Sequence, residues 1–227
     1  MAYTNDSRSF AARLVGSSPT SGTMSYFRIP KLSADKNLQA YVIGLALGDG
    51  NLSKPGPRAV RLRISCDNKY PQLIKRIFES LKLLLPENKV GLVHRDKSNC
   101  TDISIYSNQL ETLLGWSAKS GSKFAQNVSV PKWIKEQKDY KINCLRGLIE
   151  TDGSIYTDRG YKMVNFTSNI YKLACDTENM ILSLGFKPHL YKVAREKKYN
   201  FNQQSFYHVR LSKNVSEFLD LVKPDKS

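Results

Sequence analysis

Two apolar runs of helical length dominate the pattern of hydrophobic and polar positions along the chain. They are residues 42–50 and residues 145–153, and each contains an internal glycine and ends in Asp-Gly. An apolar run is stable when it is removed from water, and two matching runs can bury each other. The pattern therefore predicts a pair of packed helices that brings Asp49 and Asp152 close together.

The rest of the first half alternates between helical and strand periodicity. Asp35 is a suitable cap for the first helix, and glycine just past the apolar run ends it. The predicted elements are a helix from Asp35 to Gly48, a strand over 60–65, a helix over 68–85, a hairpin of 89–95 and 101–106, and a helix over 108–114.

The same order then starts again. The second set comprises a helix over 141–151, a hairpin of Tyr156 and 161–167, a helix over 173–184, a hairpin of 186–195 and 206–211, and a helix over 215–222. An α-β-β-α-β-β-α order that occurs twice indicates an internal repeat. The predicted fold class is α+β, with two pseudo-symmetric αββαββα halves whose saddle-shaped antiparallel sheets surround a central helix pair. Two α+β domains that are similar by accident are the alternative.

The spacing of matching residues supports the repeat. Asp49 and Asp152 are 103 residues apart, whereas an offset of 100 relates Leu73 to Leu173 and Ser65 to Asn165. The predicted organisation is a flexible N-terminal extension over 1–34, a first half over 35–115, a linker over 116–138, a second half over 139–222 and a C-terminal tail over 223–227. The extension faintly resembles an organelle transit peptide, and a disordered extension is the alternative. An intracellular location, in a prokaryotic cytoplasm or an organelle, is expected.

Charge and cysteine usage limit the kinds of partner and cellular compartment that are expected. Lys and Arg outnumber Asp and Glu by 35 to 20, a net charge of +15, which points to nucleic acid as the partner; a merely basic protein is the alternative. No apolar run reaches 18 residues, so no membrane partner is expected. The four cysteines form no C-x-x-C pair, which argues against a zinc site or a disulfide framework and suits a reducing compartment.

The ends of the two apolar helices carry candidate chemistry. Gly44 and Gly48 share one helix face, with Gly147 and Thr151 in the matching places, and small residues at this spacing allow close helix approach. A carboxylate at a helix C-terminus is electrostatically unfavourable. Two such carboxylates with free carbonyl oxygens form a set of hard oxygen ligands that suits Mg²⁺, which can activate water against a phosphodiester. One Asp-Gly after a helix is usually a turn, but two in equivalent places favour a site.

The nonamers V-I-G-L-A-L-G-D-G and L-R-G-L-I-E-T-D-G resemble the LAGLIDADG signature of homing endonucleases. The resemblance extends over residues 35–222 and is to the single-chain, two-motif form. It implies a monomeric, Mg²⁺-dependent, site-specific endonuclease that cuts both strands of double-stranded DNA across the minor groove, with Mn²⁺ or Ca²⁺ able to occupy the same sites.

The resemblance also implies roles for particular residues. Asp49 and Asp152 would bind metal, assisted by the backbone carbonyls of Gly48 and Thr151. The sixth motif position is Leu47 in one copy and Glu150 in the other, so no catalytic role is expected there. Lys123 is the candidate basic residue at the attacking water, with a solvated linker lysine as the alternative, and Lys223 or Lys226 falls in the comparable region of the second half. Asn68 and Ser168, related by the offset of 100, are candidates for ordering water.

The outward strand faces are the candidate DNA-binding surface. In residues 60–65 the apolar face is Val60, Leu62 and Ile64, while Val164 and Phe166 point inwards and Met163 outwards in the second half. A two-stranded ribbon fits the major groove, where Arg can bind guanine and Asn adenine. The candidate DNA-binding residues are Arg61, Arg63, Ser65, Arg95, Ser104, Tyr106, Tyr161, Asn165, Lys192, Arg195, His208 and Arg210. The alternative for each is a solvated face or a phosphate contact.

Other activities find less support. The three histidines are far apart in sequence, and the chain has neither a P-loop lysine motif nor G-x-S-x-G. Two alternatives within the resembled family stay open: an RNA maturase that assists intron splicing, with host intron RNA as partner, and a DNA-binding relative that does not cleave. Because the outward faces differ between the halves, the preferred DNA site is expected to be an imperfect palindrome.

Overall fold

The fold consists of two halves, each built on a four-stranded antiparallel sheet. A computed structural model describes residues 31–57, 59–95, 98–194 and 205–226. The first half comprises α1 (Lys36–Leu47), β1 (Gly50–Ser53), β2 (Val60–Asp67), α2 (Pro71–Leu84), β3 (Gly91–Arg95), β4 (Cys100–Ser107) and α3 (Leu110–Leu114). The second comprises α4 (Lys132–Glu136), α5 (Lys138–Asp152), β5 (Gly153–Asp158), β6 (Tyr161–Ser168), α6 (Tyr171–Ser183), β7 (His189–Val193), β8 (Phe206–Leu211) and α7 (Val215–Val222).

The two sheets have the same strand order, β1-β2-β4-β3 and β5-β6-β8-β7. Each begins with a strand that directly follows one of the two apolar helices. The predicted α+β class with two repeated halves is confirmed. Within the described ranges, no helix is long and apolar enough to cross a membrane.

Helices α1 and α5 form the centre of the molecule. Asp35 caps α1 by accepting hydrogen bonds from the backbone N–H groups of Asn37 (2.8 Å) and Leu38 (3.2 Å), as predicted. Every residue of α1 from Gln39 onwards is buried, as expected for a helix that is apolar on all sides. A β-carbon on Gly147 would lie 2.5 Å from the backbone nitrogen of Leu45, so the predicted close approach at the glycines is present.

Strand β2 shows the predicted two faces. Val60, Leu62 and Ile64 are buried in the core, and the residues between them are half-buried. In β6 the inward residues agree with the prediction, but Met163 and Asn165, expected to point outwards, are only 8% and 7% exposed. Neighbouring side chains on the outer face cover them: Met163 pairs across the strands with Tyr156, and the amide of Asn165 contacts His208.

The connection between the halves is more ordered than its polar sequence suggests. Trp116, Val128, Val130 and Ile134 are buried in the core, and α4 lies within the predicted linker. Helix α5 begins three residues before its predicted start because its first turn is polar, which hides it from the hydrophobic pattern. Strand β1 is only four residues long and was not located by periodicity.

Strand pairing corrects the predicted offset for the strands, whereas α2 and α6 begin at Pro71 and Tyr171 and keep the predicted offset of 100. Gly50 pairs with Ile64 and Gly153 pairs with Phe166. Because Gly50 and Gly153 are the equivalent glycines of the two Asp-Gly pairs, β2 and β6 are related by 102 residues rather than 100. A two-residue shift keeps every side chain on the same face of a strand, so the alternating pattern could not reveal it.

Candidate active site

Asp49 and Asp152 lie at the ends of the packed helices α1 and α5, as predicted. Burial and the neighbouring Asp49 carboxylate raise the pKa of Asp152 to about 6. The pKa of Asp49 is raised too: desolvation by the surrounding protein disfavours its charge, and Lys226 and Lys123 partly oppose this effect. The two carboxyls therefore form a coupled pair whose negative charge the nearby lysines compensate only in part.

Lys123 reaches the end of α1 from the connection between the halves. Its ammonium group donates hydrogen bonds to the carbonyl oxygens of Ala46 (3.2 Å), Leu47 (2.7 Å) and Gly48. These are carbonyls that a helix terminus leaves without partners. Burial lowers the pKa of Lys123, and both aspartates oppose this shift. The predicted candidate is therefore not a solvated linker lysine.

Lys226 makes the equivalent contacts at the end of α5. Its ammonium group donates to the carbonyl oxygens of Thr151 (2.6 Å) and Gly153 (2.9 Å). Burial lowers its pKa, opposed by Asp49 and Asp152. Of the two lysines that the sequence left open, Lys226 is the one at the site.

The acidic pair fits a divalent cation of the Mg²⁺ type. Within the described residues no group of three or more His, Cys, Asp and Glu side chains could hold a metal ion. Mg²⁺, however, is commonly held by one or two carboxylates together with water and substrate phosphate oxygens. The carbonyls of Gly48 and Thr151, expected as ligands, accept hydrogen bonds from the lysines, and each keeps a second lone pair.

A cleft of about 510 Å³ adjoins the pair and is lined by Asp152, Lys123 and Ser168, among others. The Ser168 hydroxyl accepts a hydrogen bond from the backbone N–H of Ile170 (3.1 Å), which fixes its orientation. Ser168 therefore lies where it could order water.

Asn68 does not share this position. Its side-chain oxygen accepts a hydrogen bond from the Thr101 hydroxyl (2.7 Å), and its amide donates to Asn99 (3.4 Å). The strand registers make Cys66, rather than Asn68, the counterpart of Ser168. Burial and then the nearby Asp49 raise the pKa of the Cys66 thiol to about 11, so the thiol stays protonated. Relative to the helices that follow, which begin at Pro71 and Tyr171, Asn68 and Ser168 are equivalent as predicted, but relative to the strands they are not.

Glu150 lies in the helix interface, with only 2% of its surface exposed. It accepts hydrogen bonds from the Tyr41 hydroxyl (2.6 Å), the Arg76 guanidinium (3.2 Å) and the backbone N–H of Asp225 (2.8 Å). Burial raises its pKa, and these donors oppose the shift. The sequence showed only that the two motifs differ at this position, Glu150 against Leu47. It could not show the role of Glu150, because the hydrogen-bond partners of Glu150 are remote in sequence.

Asp102 organises the outer face of the first sheet and was not among the predicted residues. It accepts hydrogen bonds from the Ser65 hydroxyl (2.6 Å) and from Arg95, and Arg63 lies 3.8 Å away. These interactions hold the pKa of Asp102 below its usual range, although burial opposes them. Asp102 lies two residues before Ser104 on the same strand face, which is the signal that could have identified it.

His208 has the corresponding place in the second sheet. The Asn165 amide donates to its Nδ1 atom (2.7 Å), and the Thr167 hydroxyl lies 2.9 Å from the same nitrogen. Burial lowers the pKa of His208, which favours the neutral imidazole. Next to this cluster Arg210 binds Asp158 (3.1 Å).

Most of the remaining predicted DNA-binding residues lie on the same outer faces. Lys192 does not, because it pairs with Tyr207, whereas its neighbour Tyr191 pairs with His208 of the outer face. The prediction that Lys192 belongs to the outer face is therefore wrong. Arg61 donates to Ser53 (3.1 Å), and Tyr106 and Tyr161 are exposed. Ser104 is half-buried and Lys192 is exposed, whereas Arg195 lies outside the described residues. Among the described residues, three buried polar atoms of these faces have no hydrogen-bond partner: Arg63 Nε, Asn165 Oδ1 and Arg210 Nε.

Comparison with known proteins supports the fold. Residues 139–223 match a family model described as a LAGLIDADG-like domain. The fold is similar to mesophilic variants of the homing endonuclease I-DmoI (TM-score 0.58, 18% identity, 82% of this chain and 95% of that chain). It is also similar to I-DmoI in complex with DNA and Mn (0.57, 17%, 85% and 97%) and to the N-terminal LAGLIDADG domain of DUF199/WhiA (0.55, 10%, 85% and 85%). A search of curated proteins gave no match. The predicted resemblance is confirmed, and the similarity to these structures shows the shared fold.

Proposed function

We propose that the protein is a metal-dependent, site-specific endonuclease that cuts both strands of DNA. The match of residues 139–223 to a model of a LAGLIDADG-like domain supports this proposal, as does the identical strand order of the two sheets. One observation carries the proposal. Two aspartates with raised pKa values lie at the equivalent ends of two packed helices, and each helix end also binds a lysine ammonium. The C-terminus of a helix disfavours a carboxylate, so the arrangement is best explained by a function.

The residues of the site divide the chemistry between them. Asp49 and Asp152 would hold Mg²⁺, or Mn²⁺ or Ca²⁺ in its place, and the bound cation would act as a Lewis acid that activates water. Lys123 and Lys226 place positive charge beside both carboxylates, where it can stabilise the negative charge that develops on a phosphate. Ser168 lines the cleft and would orient water there. Each half would cut one strand.

The sheets would supply DNA recognition. The chain carries a net charge of +15, which favours binding to the phosphate backbone. Buried polar atoms without partners are costly unless a ligand satisfies them. The unpartnered atoms of Arg63, Asn165 and Arg210 are themselves buried, but the two arginine side chains are about a third exposed on the outer faces and support base contacts at these positions. Because the outward side chains differ between the two halves, the preferred DNA site is expected to be long and imperfectly palindromic.

Cleavage of a plasmid library tests the proposal. Purified protein with Mg²⁺ is expected to convert plasmids that carry a preferred site into linear product. The Asp49→Asn, Asp152→Asn double variant is expected to lose this activity but retain DNA binding in Ca²⁺. The charge-matched control is the Glu79→Gln, Glu136→Gln double variant, which neutralises two exposed carboxylates and should cleave like the wild type. Linear product that persists in the aspartate double variant would refute the assignment of these carboxylates, and binding without cleavage in the wild type would identify a non-cleaving relative.

A further inference from the structure

The segment after α7 crosses from one half of the molecule to the other. The Asp225 carboxylate binds the Arg76 guanidinium at 2.8 Å, and Arg76 belongs to α2 of the first half. The backbone N–H of Asp225 donates to Glu150, which belongs to α5 of the second half. The next residue is Lys226, whose ammonium group binds the end of α5. One short segment therefore joins both halves and carries a residue of the candidate active site.

Glu150 is the centre of this contact. Its side chain has no exposure to solvent, and Arg76 donates to the same carboxylate oxygen that receives the Asp225 N–H. Its other oxygen accepts the Tyr41 hydroxyl of α1. A buried carboxylate with three donors from three separate parts of the chain has little freedom to move. We call Glu150, Arg76 and Asp225 the Glu150 clamp.

The first half holds its lysine in a different way. Leu47 stands at the motif position of Glu150, so no equivalent carboxylate exists there. The segment that carries Lys123 is instead fixed by local hydrogen bonds. Glu111 accepts the Ser117 hydroxyl (2.9 Å) and the Ala118 N–H (2.6 Å), and the Gln126 side chain bonds to both backbone groups of Ser117. The clamp is thus specific to the second lysine.

We propose that the Glu150 clamp is a positioning device for Lys226, which couples the second active-site lysine to the packing of the two halves. Arg76 and Asp225 act through Lys226 and do not themselves reach the cleft. When the clamp is intact, Lys226 is held against the carbonyls of Thr151 and Gly153, beside Asp49 and Asp152. When it is broken, Lys226 leaves this position while Lys123 keeps its own. The consequence for cleavage rests on the proposed endonuclease function, whereas the positioning itself does not.

Residue-resolved acylation of lysines tests the positioning without any nuclease activity. In the wild type, Lys226 and Lys123 are half-buried and hydrogen-bonded, so both should react slowly with an N-hydroxysuccinimide acetate probe. In Arg76→Met and in Asp225→Asn, Lys226 is expected to react about tenfold faster, a factor in line with the loss of a hydrogen bond to a charged group. Lys123 serves as the internal control and should not change.

A matched variant on the same helix separates the clamp from general effects of lost charge. Lys75→Met removes an exposed cation from α2 and should leave the labelling of Lys226 at the wild-type rate. Arg76→Lys, which keeps the charge, should restore part of the protection. Unchanged labelling of Lys226 in both clamp variants, or an equal rise at Lys123 and Lys226, would overturn the proposal.

Strand-resolved cleavage then tests the consequence for function. On a target plasmid recovered with the wild type, Arg76→Met should accumulate nicked circles cut in the same strand as those of Lys226→Met. Lys123→Met should also give nicked circles, but these should be cut in the other strand. A destabilised protein would instead lose both cuts equally, and that outcome contradicts positioning. If the wild type cleaves no DNA, the proposed function fails, but the labelling experiment still decides the role of the clamp.

Discussion

Asp102 and His208 occupy equivalent positions on the outer faces of the two sheets. Asp102 pairs across the strands with Ser65, and His208 pairs with Thr167, the residue that the corrected offset of 102 relates to Ser65. Both side chains are the centre of a hydrogen-bonded cluster. One is a carboxylate that holds arginines, and the other is an imidazole whose pKa burial lowers. The two halves therefore present different donors and acceptors at the same place.

Neutralising Asp102 is expected to weaken sequence discrimination. In Asp102→Asn, Arg63 and Arg95 lose the carboxylate that orients them, and a negative charge disappears from the face. We expect affinity for random duplex DNA to rise severalfold and the preference for a target site to fall by about tenfold, the scale of one lost base contact. Fluorescence anisotropy at two salt concentrations measures both. Glu79→Gln, which neutralises an exposed carboxylate on α2, is the control, and an unchanged preference in Asp102→Asn would contradict the prediction.

Alanine at the glycines of the central helix pair is expected to destabilise the protein. A β-carbon on Gly147 would lie 2.5 Å from backbone atoms of α1, and neither backbone can move without repacking the centre. Gly147→Ala should lower the free energy of unfolding by about 3 kcal/mol or more, as overpacking does. Gly56→Ala meets no atom within 4 Å and should change it by less than about 0.5 kcal/mol. Urea unfolding measures both, and equal effects would show that the helices are not in close contact.

The Asp152 carboxyl is expected to make the metal-free protein less stable as pH rises. Its pKa is raised from 3.8 to about 6. A raised carboxyl pKa contributes stability that is complete below pH 3.8 and is lost as pH rises through about 6. Asp152→Asn should therefore be more stable than the wild type at pH 7.5 by up to about 3 kcal/mol, since the shift is about two pKa units.

Thermal unfolding in EDTA from pH 4 to 8 measures this difference between the two proteins. The difference should shrink towards zero at the acidic end, because the wild-type carboxyl is protonated there and resembles the amide. A difference that does not depend on pH would indicate a packing effect instead.

Thiol labelling should distinguish the four free cysteines. Cys66 and Cys144 are buried and their pKa values are raised, that of Cys66 to about 11. At pH 8 roughly one Cys66 thiol in a thousand is ionised, and the thiolate is the reactive form. Iodoacetamide followed by mass spectrometry should therefore modify the half-buried Cys100 and Cys175 first. Rapid labelling of Cys144 would show that the helix interface opens readily.

Periodicity was sufficient to predict the features that depend on neighbours in the chain. The alternation of Val60, Leu62 and Ile64 identified a half-buried strand, and the two apolar runs identified the central helices. The repeated Asp-Gly placed both aspartates at helix ends. These predictions succeed because a helix or strand with one buried face has apolar residues at a fixed spacing, whatever its position in the fold.

Features that depend on partners remote in sequence could not be predicted in the same way. The period of two that identifies a strand face is unchanged by a two-residue shift, so Ser65 was matched to Asn165 instead of Thr167. Asp102 and Glu150 are ordinary acidic residues until folding brings arginines to them. Lys226 could be placed only within a short segment, because its position depends on the contacts of Asp225.

The path of the connection also indicates where the two halves can be exchanged. The backbone N–H of Val128 donates to the backbone carbonyl oxygen of Lys123 at 3.2 Å, whereas the N–H of Val130 donates to the carboxylate of Asp176 in α6 at 2.9 Å. The chain thus passes from one half to the other at Ser129. A hybrid protein joined there would keep each aspartate with the lysine that binds its own helix end, so each half would bring its part of the candidate site from a single parent. A hybrid joined at residue 115 would separate Asp49 from Lys123 and combine a helix from one parent with a lysine from the other.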